Sequence, residues 1–201
     1  MKSLMGFTGQ RPGLFELPPI PVTELTGKEF GERLSRRELA LAADAKLRRI
    51  QRIAGLPNTD TGWVLRVNRK GRAKMGDNAD MTAAESKAVA GIEALARDAV
   101  AAERHPDTEH KNPDVNAVLR LYAPVSIAGV MYRVKLTVKD YSTEGNPKML
   151  HALAAVEIES ALLGISPSYS GDESLQTGQP TTRRVLSIAD LFAGATLSPT
   201  I

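Results

Sequence analysis

Leu119-Arg120-Leu121-Tyr122-Ala123-Pro124-Val125-Ser126-Ile127-Ala128-Gly129-Val130-Met131-Tyr132-Arg133-Val134-Lys135-Leu136-Thr137-Val138-Lys139 is the stretch from which the fold of this 201-residue chain is read. Its apolar residues recur with period two. Leu119, Leu121, Ala123, Val125 and Ile127 share one side of a strand, and Arg120, Tyr122, Pro124 and Ser126 share the other. Ala128-Gly129 suits a tight reversal. In the return strand Val130, Tyr132, Val134, Leu136 and Val138 form an apolar face, while Met131, Arg133, Lys135, Thr137 and Lys139 form a basic one. Since the apolar side is the one that packs, the hairpin is expected to present Arg133, Lys135 and Lys139, with Arg120 and Tyr122, on its outer surface.

Downstream, a turn-rich loop at 141–147 leads to 151–159. There Ala152, Ala154, Val156 and Ile158 alternate with His151, Leu153, Ala155, Glu157 and Glu159, so a strand would carry His151 on its more polar side. Alanine, leucine and glutamate also favour helix, and residue types alone leave strand and helix about even. Residues 164–185, rich in Gly, Ser, Pro and Thr, read as a loop, and Ser187-Ile188-Ala189-Asp190-Leu191-Phe192 as a short capped helix. Upstream, Thr82-Ala83-Ala84-Glu85 is a capping box. Val89, Ile92, Leu95, Ala96, Ala99 and Val100 follow with helical spacing, predicting one long helix over 83–103 that ends at His105-Pro106. Trp63-Val64-Leu65-Arg66-Val67 has the content of a short strand. Thr26 and Glu29 suggest a second capping box, opening one long or two shorter helices over 27–54. Before that, Pro12, Pro18, Pro19 and Pro21 make residues 1–25 a flexible leader.

With 42% hydrophobic and 24% charged residues the chain is globular, and with 4% aromatics its core is aliphatic. The absence of cysteine excludes disulfides, thiolate zinc sites and thiol nucleophiles. No apolar run is long enough to span a membrane and no secretory signal opens the chain, so a cytoplasmic protein with no membrane partner is expected. The net charge of +3 hides a segregation: Lys28 to Lys74 holds thirteen basic and five acidic residues, a local +8. Arg33, Arg36, Arg37, Lys46, Arg48, Arg49 and Arg52 lie in the helical pattern. That pattern fits either a solvated helix face or a polyanion-binding surface, with Arg48 and Arg49 as contacts in the second case.

No phosphate-binding loop, dinucleotide fingerprint, zinc-protease motif or nucleophile elbow is present, so no metal and no cofactor is expected. His105 and His110, five residues apart across a proline-containing connector, do not define a metal-binding face. Proton transfer is the more economical chemistry. Metal-free RNA cleavage needs a base for the 2′-hydroxyl, an acid for the leaving oxygen and cations for the phosphorane charge. His110 and His151, with Arg133 and Lys135 between them on a sheet, supply that inventory; Arg120, Tyr122, Lys139 and Lys111 would add nucleic-acid contacts. The plainer alternative is packing or capping histidines beside a solvated basic strand.

The run from Trp63 to Ile158, and above all Tyr122-Ala123-Pro124-Val125 to Lys139, resembles the large polyvalent protein-associated domains of phages and conjugative elements. It is also similar to the related phage branch of the barnase, EndoU, colicin and RelE-like nucleases. The resemblance tips 151–159 toward strand. It implies an α+β fold in which N-terminal helices and one long helix pack on a small antiparallel sheet of about four strands. It also implies metal-independent endoribonuclease action of a toxin-like kind, with His110, Arg133, Lys135 and His151 at the matching positions. The implied organisation is a leader at 1–25, a basic helical segment at 26–57, a nuclease-like domain at 58–165, and a loop with a short helix at 166–201.

Three functional readings stand at this point. The first is an RNA-cleaving protein, with RNA (tRNA among the targets) or DNA as partner and an immunity protein as a further one. The second is a non-catalytic module, delivered with phage DNA into the host cytoplasm, that binds nucleic acid or a host protein. The third is a structural phage protein.

Overall fold

The computed structural model describes residues 7–53, 55–69, 71–72, 82–108, 114–141, 151–162, 165, 168–172 and 181–195. The hairpin that governs the sequence reading forms as expected, with β7 at Ala117–Ile127 and β8 at Val130–Asp140 paired antiparallel along their whole length. Ala128 and Gly129 take positive φ at its turn. The strand alternative at 151–159 is realised as β9, His151–Ala161, antiparallel to β8.

The sheet is far larger than four antiparallel strands. It has eight strands and is mixed. Beyond β7, β8 and β9 it contains β1 (Gly9–Gln10), β3 (Thr23–Leu25), β4 (Leu56–Pro57), β5 (Val64–Val67) and β6 (Val100–His105). The order is β1-β6-β7-β8-β9-β5-β4, and β3 pairs with β7. β5 joins β9 in parallel and β3 joins β7 in parallel, so a purely antiparallel meander is excluded. β6 pairs with Val118 to Tyr122 and β3 with Val125 to Ile127, so the two lie end to end along one flank of β7.

Nor does one long helix occupy 83–103. The capping box of Thr82 and Glu85 forms, but the helical segment is α2 (Ala83–Ala88), a 3-10 turn (Val89–Gly91) and α3 (Ile92–Asp98). Residues 100–105, expected inside the helix, are strand β6. The reason is local and polar. The buried Asn58 amide donates to the carbonyls of Ala96 and Ala99 at 2.7 and 2.8 Å, which satisfies the helix end. Ala99 then turns extended, and the Ala101 amide donates to Asp60 at 2.8 Å. Val100, Ala101 and Ala102 are all buried, and a run that is apolar on both sides suits a covered strand as well as a helix.

The N-terminal helix, α1, runs only from Arg36 to Gln51. Its capping box is Ser35 with Glu38; Thr26 and Glu29 hydrogen-bond each other in a non-helical turn. Gly31 and Arg33 have positive φ between the two, which breaks the helical path. The leader does not stand apart from the fold over residues 9–25: β1 pairs with β6, β3 with β7, and Leu14, Ile20 and Val22 are buried. β2 (Ile20–Pro21) pairs with β11 (Thr181–Leu186), which pairs with β10 (Ser168–Asp172) in a separate three-stranded sheet.

Two cores result. On one face of the large sheet, α1, the 3-10 turn and α3 pack Leu47, Ile50, Val89, Ile92 and Leu95 against Leu119, Leu121, Val134, Leu136, Val138 and Leu153. On the other face a smaller cluster joins Leu14, Ile20 and Val22 with Tyr122, Met131, Leu186, Ile188, Leu191 and Phe192. It includes the short helix α4, Ile188–Leu191, capped by Ser187 as the sequence suggests. The face read as an open basic surface is therefore half roofed.

Candidate functional site

Strand register decides what that second face displays, because residues paired across strands point the same way. One row across the sheet reads His105, Val118, Lys139, Ala152 and Arg66; the next reads Glu103, Arg120, Thr137 and Ala155. A third holds Val100, Tyr122, Lys135 and Glu157, and a fourth holds Pro124 and Arg133. Arg120, Tyr122, Arg133, Lys135 and Lys139 do share a face, as the period-two reading predicts.

They are not a free basic surface. Arg133, 6% exposed, donates to the Leu191 carbonyl at 3.0 Å and to Glu159 at 3.2 Å, and its guanidinium lies over Phe192. It pins α4 to the sheet and cannot meet a phosphate there. Lys135 pairs with Glu159 at 2.9 Å and Glu157 at 3.4 Å. Burial works to lower its pKa, and the two carboxylates outweigh that and raise it. Lys139 pairs with Asp107 at 3.0 Å.

His151 is on the opposite face. Thr137 pairs with Ala155 but Val138 pairs with Leu153, so Ala154 is an extra residue that inverts the alternation for everything before it in β9. Leu153 enters the helix-side core with Val138, and His151 goes with it, paired to Asp140 and stacked on Trp63. Burial lowers the His151 pKa, against the opposing pull of Asp140. The expected convergence of His151 with Arg133 and Lys135 does not occur. His110 and Lys111 lie outside the described residues.

The residues that do converge are Glu103 and His105, which the sequence reading assigned to a helix end, and Arg120 and Tyr122 of the hairpin. Glu103 is a buried carboxylate on β6. Its Oε2 accepts from His105 Nε2 at 2.7 Å and from Arg120 Nη1 at 3.0 Å, and its Oε1 accepts from the Tyr122 hydroxyl at 2.9 Å. Desolvation would raise the Glu103 pKa, but the hydrogen bonds from His105 and Tyr122 and the charge of Arg120 lower it on balance. Tyr122, buried beside Phe192, is pushed the other way by burial first and then by the charges of Glu103 and Glu159; it stays a neutral donor. Arg120 and His105 keep partly exposed edges. A bulge at Ala102 turns Glu103 onto this face, in line with His105 two residues on. That Glu-x-His spacing was the available signal, and it becomes legible only once 100–105 is a strand.

A second charged feature is α1. Arg48 pairs with Asp44, which also holds Arg72, and Lys46 pairs with Glu93. Arg37, Arg49 and Arg52 are exposed and have no ion-pair partner among the described residues. They face away from the sheet, on the side opposite the Glu103 cluster.

Among the described residues there is no group of three or more metal-ligating side chains, and no helix is long and apolar enough to cross a membrane. The model of one protein family, described as large polyvalent protein-associated domain 3, matches residues 34–152, from the approach to α1 as far as the start of β9. No curated protein and no solved structure matches the chain.

Proposed function

The chain belongs to the large polyvalent protein-associated domain 3 family, a phage- and mobile-element-associated group, and we propose that it is a nucleic-acid-binding module whose contact surface is the outer side of α1. The carrying observation is the contrast between the two basic regions. Every cation of the hairpin, Arg120, Arg133, Lys135 and Lys139, is matched by a carboxylate, whereas Arg37, Arg49 and Arg52 on α1 meet only solvent among the described residues. Unpaired guanidinium groups on one helix attract phosphates and release their counterions. Cleavage by His110 and His151 with Arg133 and Lys135 is not part of this reading, since His151 and Arg133 are on opposite faces and Arg133 is buried.

Fluorescence anisotropy with labelled RNA and duplex DNA tests it. Three phosphate contacts predict a log–log salt slope of about −2.7 on duplex DNA, which is roughly a 40-fold loss of affinity between 50 and 200 mM salt. Arg37, Arg49 and Arg52 replaced together by Ala should remove most of that slope while circular dichroism stays unchanged. Affinity insensitive to salt, or to the triple replacement, would sink the proposal and favour a host-protein partner.

A further inference from the structure

We infer, resting on the reading of α1 as a nucleic-acid contact, that this helix lies in the major groove of duplex DNA. Leu41 then meets the base edges, and Arg37, Arg49 and Arg52 meet the phosphates to either side. At about 100° per residue, Arg37, Leu41, Ala45, Arg48 and Arg52 fall within an arc of about 80°, and Arg49 stands about 40° beyond it. All of these are exposed. Leu39, Ala43, Leu47 and Ile50 lie on the opposite side of the helix and are buried. Cations therefore sit at both ends of the outer stripe, and its middle is apolar. Leu41 is 62% exposed, more than any other large hydrophobic side chain among the described residues. Two acidic residues border the stripe and both are engaged: Glu38 closes the capping box with Ser35, and Asp44 pairs with Arg48 and Arg72.

Three features select duplex DNA as the occupant. First, α1 has 16 residues and is about 24 Å long, against a major groove about 12 Å wide. Its ends overrun the groove onto two backbones while its middle stays over the bases. The deep, narrow major groove of an RNA duplex does not admit a helix in this way. Second, α1 contains no aromatic residue, whereas single strands are held by stacking of their bases on aromatic rings.

Third, Leu41 is an isolated apolar group among guanidinium groups. A lipid surface takes up a whole apolar helix face, and on α1 that face already belongs to the core. The methyl group of thymine, displayed in the major groove, is a partner of matching size for one leucine side chain.

The test uses the full chain and fluorescence anisotropy with a labelled mixed-sequence DNA duplex, its separated strands, and an RNA duplex of the same sequence. A further probe is the DNA duplex with every thymine replaced by uracil, which removes the methyl groups and leaves the phosphates in place. The DNA duplex should bind about tenfold tighter than the RNA duplex or the single strands. Uracil should weaken binding about two- to fourfold, the worth of a lost methyl contact. Leu41→Ala should lose a similar factor on the thymine duplex and show no further loss with uracil. It should also keep the salt slope, because no phosphate contact is removed. The uracil probe needs no variant, and circular dichroism checks the fold of Leu41→Ala.

RNA duplex or single strands bound as tightly as the DNA duplex would overturn the groove assignment. Displacement by netropsin, which fills the minor groove, would do the same, as would indifference to both uracil and Leu41→Ala. In each of these cases the binding reading stands if replacement of Arg37, Arg49 and Arg52 still removes the salt slope. Should that replacement change nothing on any of these probes, both readings fall. Flotation with phosphatidylserine vesicles that depends on Leu41, without duplex binding, overturns both in favour of a lipid surface.

Discussion

The imidazole of His151 lies flat against the indole of Trp63, with centroids 3.8 Å apart and planes 10° from parallel. The pair ties the first residue of β9 to the residue just before β5, beside the parallel pairing of Arg66 with Ala152. Trp63 is the sole tryptophan, so the emission of the chain reports the surroundings of this pair. Because burial lowers the folded-state pKa of His151, the unfolded chain takes up the proton first as pH falls below about 6.5. The contribution of this neutral ring is therefore complete above that pH and is lost as pH falls through the folded-state value. Acid titration of native protein should change Trp63 emission with a midpoint below 6.5, and His151→Ala should abolish the transition. A midpoint at or above that value would contradict the burial argument.

Glu103 sets a second pH dependence at lower pH. Its pKa is lowered in the folded state, so its contribution is present above the ordinary glutamate range and disappears as pH falls through the folded-state value. Glu103→Gln should cost about 3 kcal/mol at pH 7, by leaving the bound Arg120 edge and the Tyr122 hydroxyl without their anion. Urea melts of the two proteins should converge at acid pH. A constant gap from pH 7 to pH 3 is the contrary outcome.

Asn58 is 2% exposed and ends α3 from outside the helix, donating to Ala96 and Ala99 while accepting from the amide and hydroxyl of Thr61. Asn58→Ala strands two carbonyls where water does not reach. About 2–3 kcal/mol of destabilisation is expected in chemical denaturation. Asn58→Asp should do no better, since it keeps the acceptor but loses both donors.

Arg133→Met keeps an unbranched apolar stem but removes the guanidinium that lies over Phe192, and with it the hydrogen bonds to Leu191 and Glu159. Hydrogen exchange should speed up in α4 and β11 before the rest of the large sheet, with an overall loss of about 1–3 kcal/mol. Unchanged exchange at Ile188–Leu191 would mean that apolar packing alone holds the helix.

Much of this architecture is written locally. The 117–140 hairpin follows from period-two alternation, and α4 and the start of α2 follow from their capping serine and threonine. What escapes is whatever depends on a distant partner. Ala99 to Ala102 suits a helix until Asn58 and Asp60 arrive from forty residues upstream to end it. The single extra residue at Ala154 reverses the side on which His151 emerges, and no propensity marks it. The proline-rich run 18–21 reads as an extended tail because its pairing with Val185 and Leu186 lies across nearly the whole chain. The same long reach hides the site: Glu103 and His105 gain meaning only beside Arg120 and Tyr122.

The pairing of Ile20 and Pro21 with Leu186 and Val185 also bears on synthesis at the ribosome. The earliest strands to emerge wait for companions translated roughly a hundred residues or more later: β1 for β6, β3 for β7, and β2 for β11. Closure of such distant contacts is slow because chain entropy is lost before they form. The nascent protein thus passes through a stage in which the inner side of its sheet is bare around Tyr122 and Met131, and factors that shield emerging chains would meet it there.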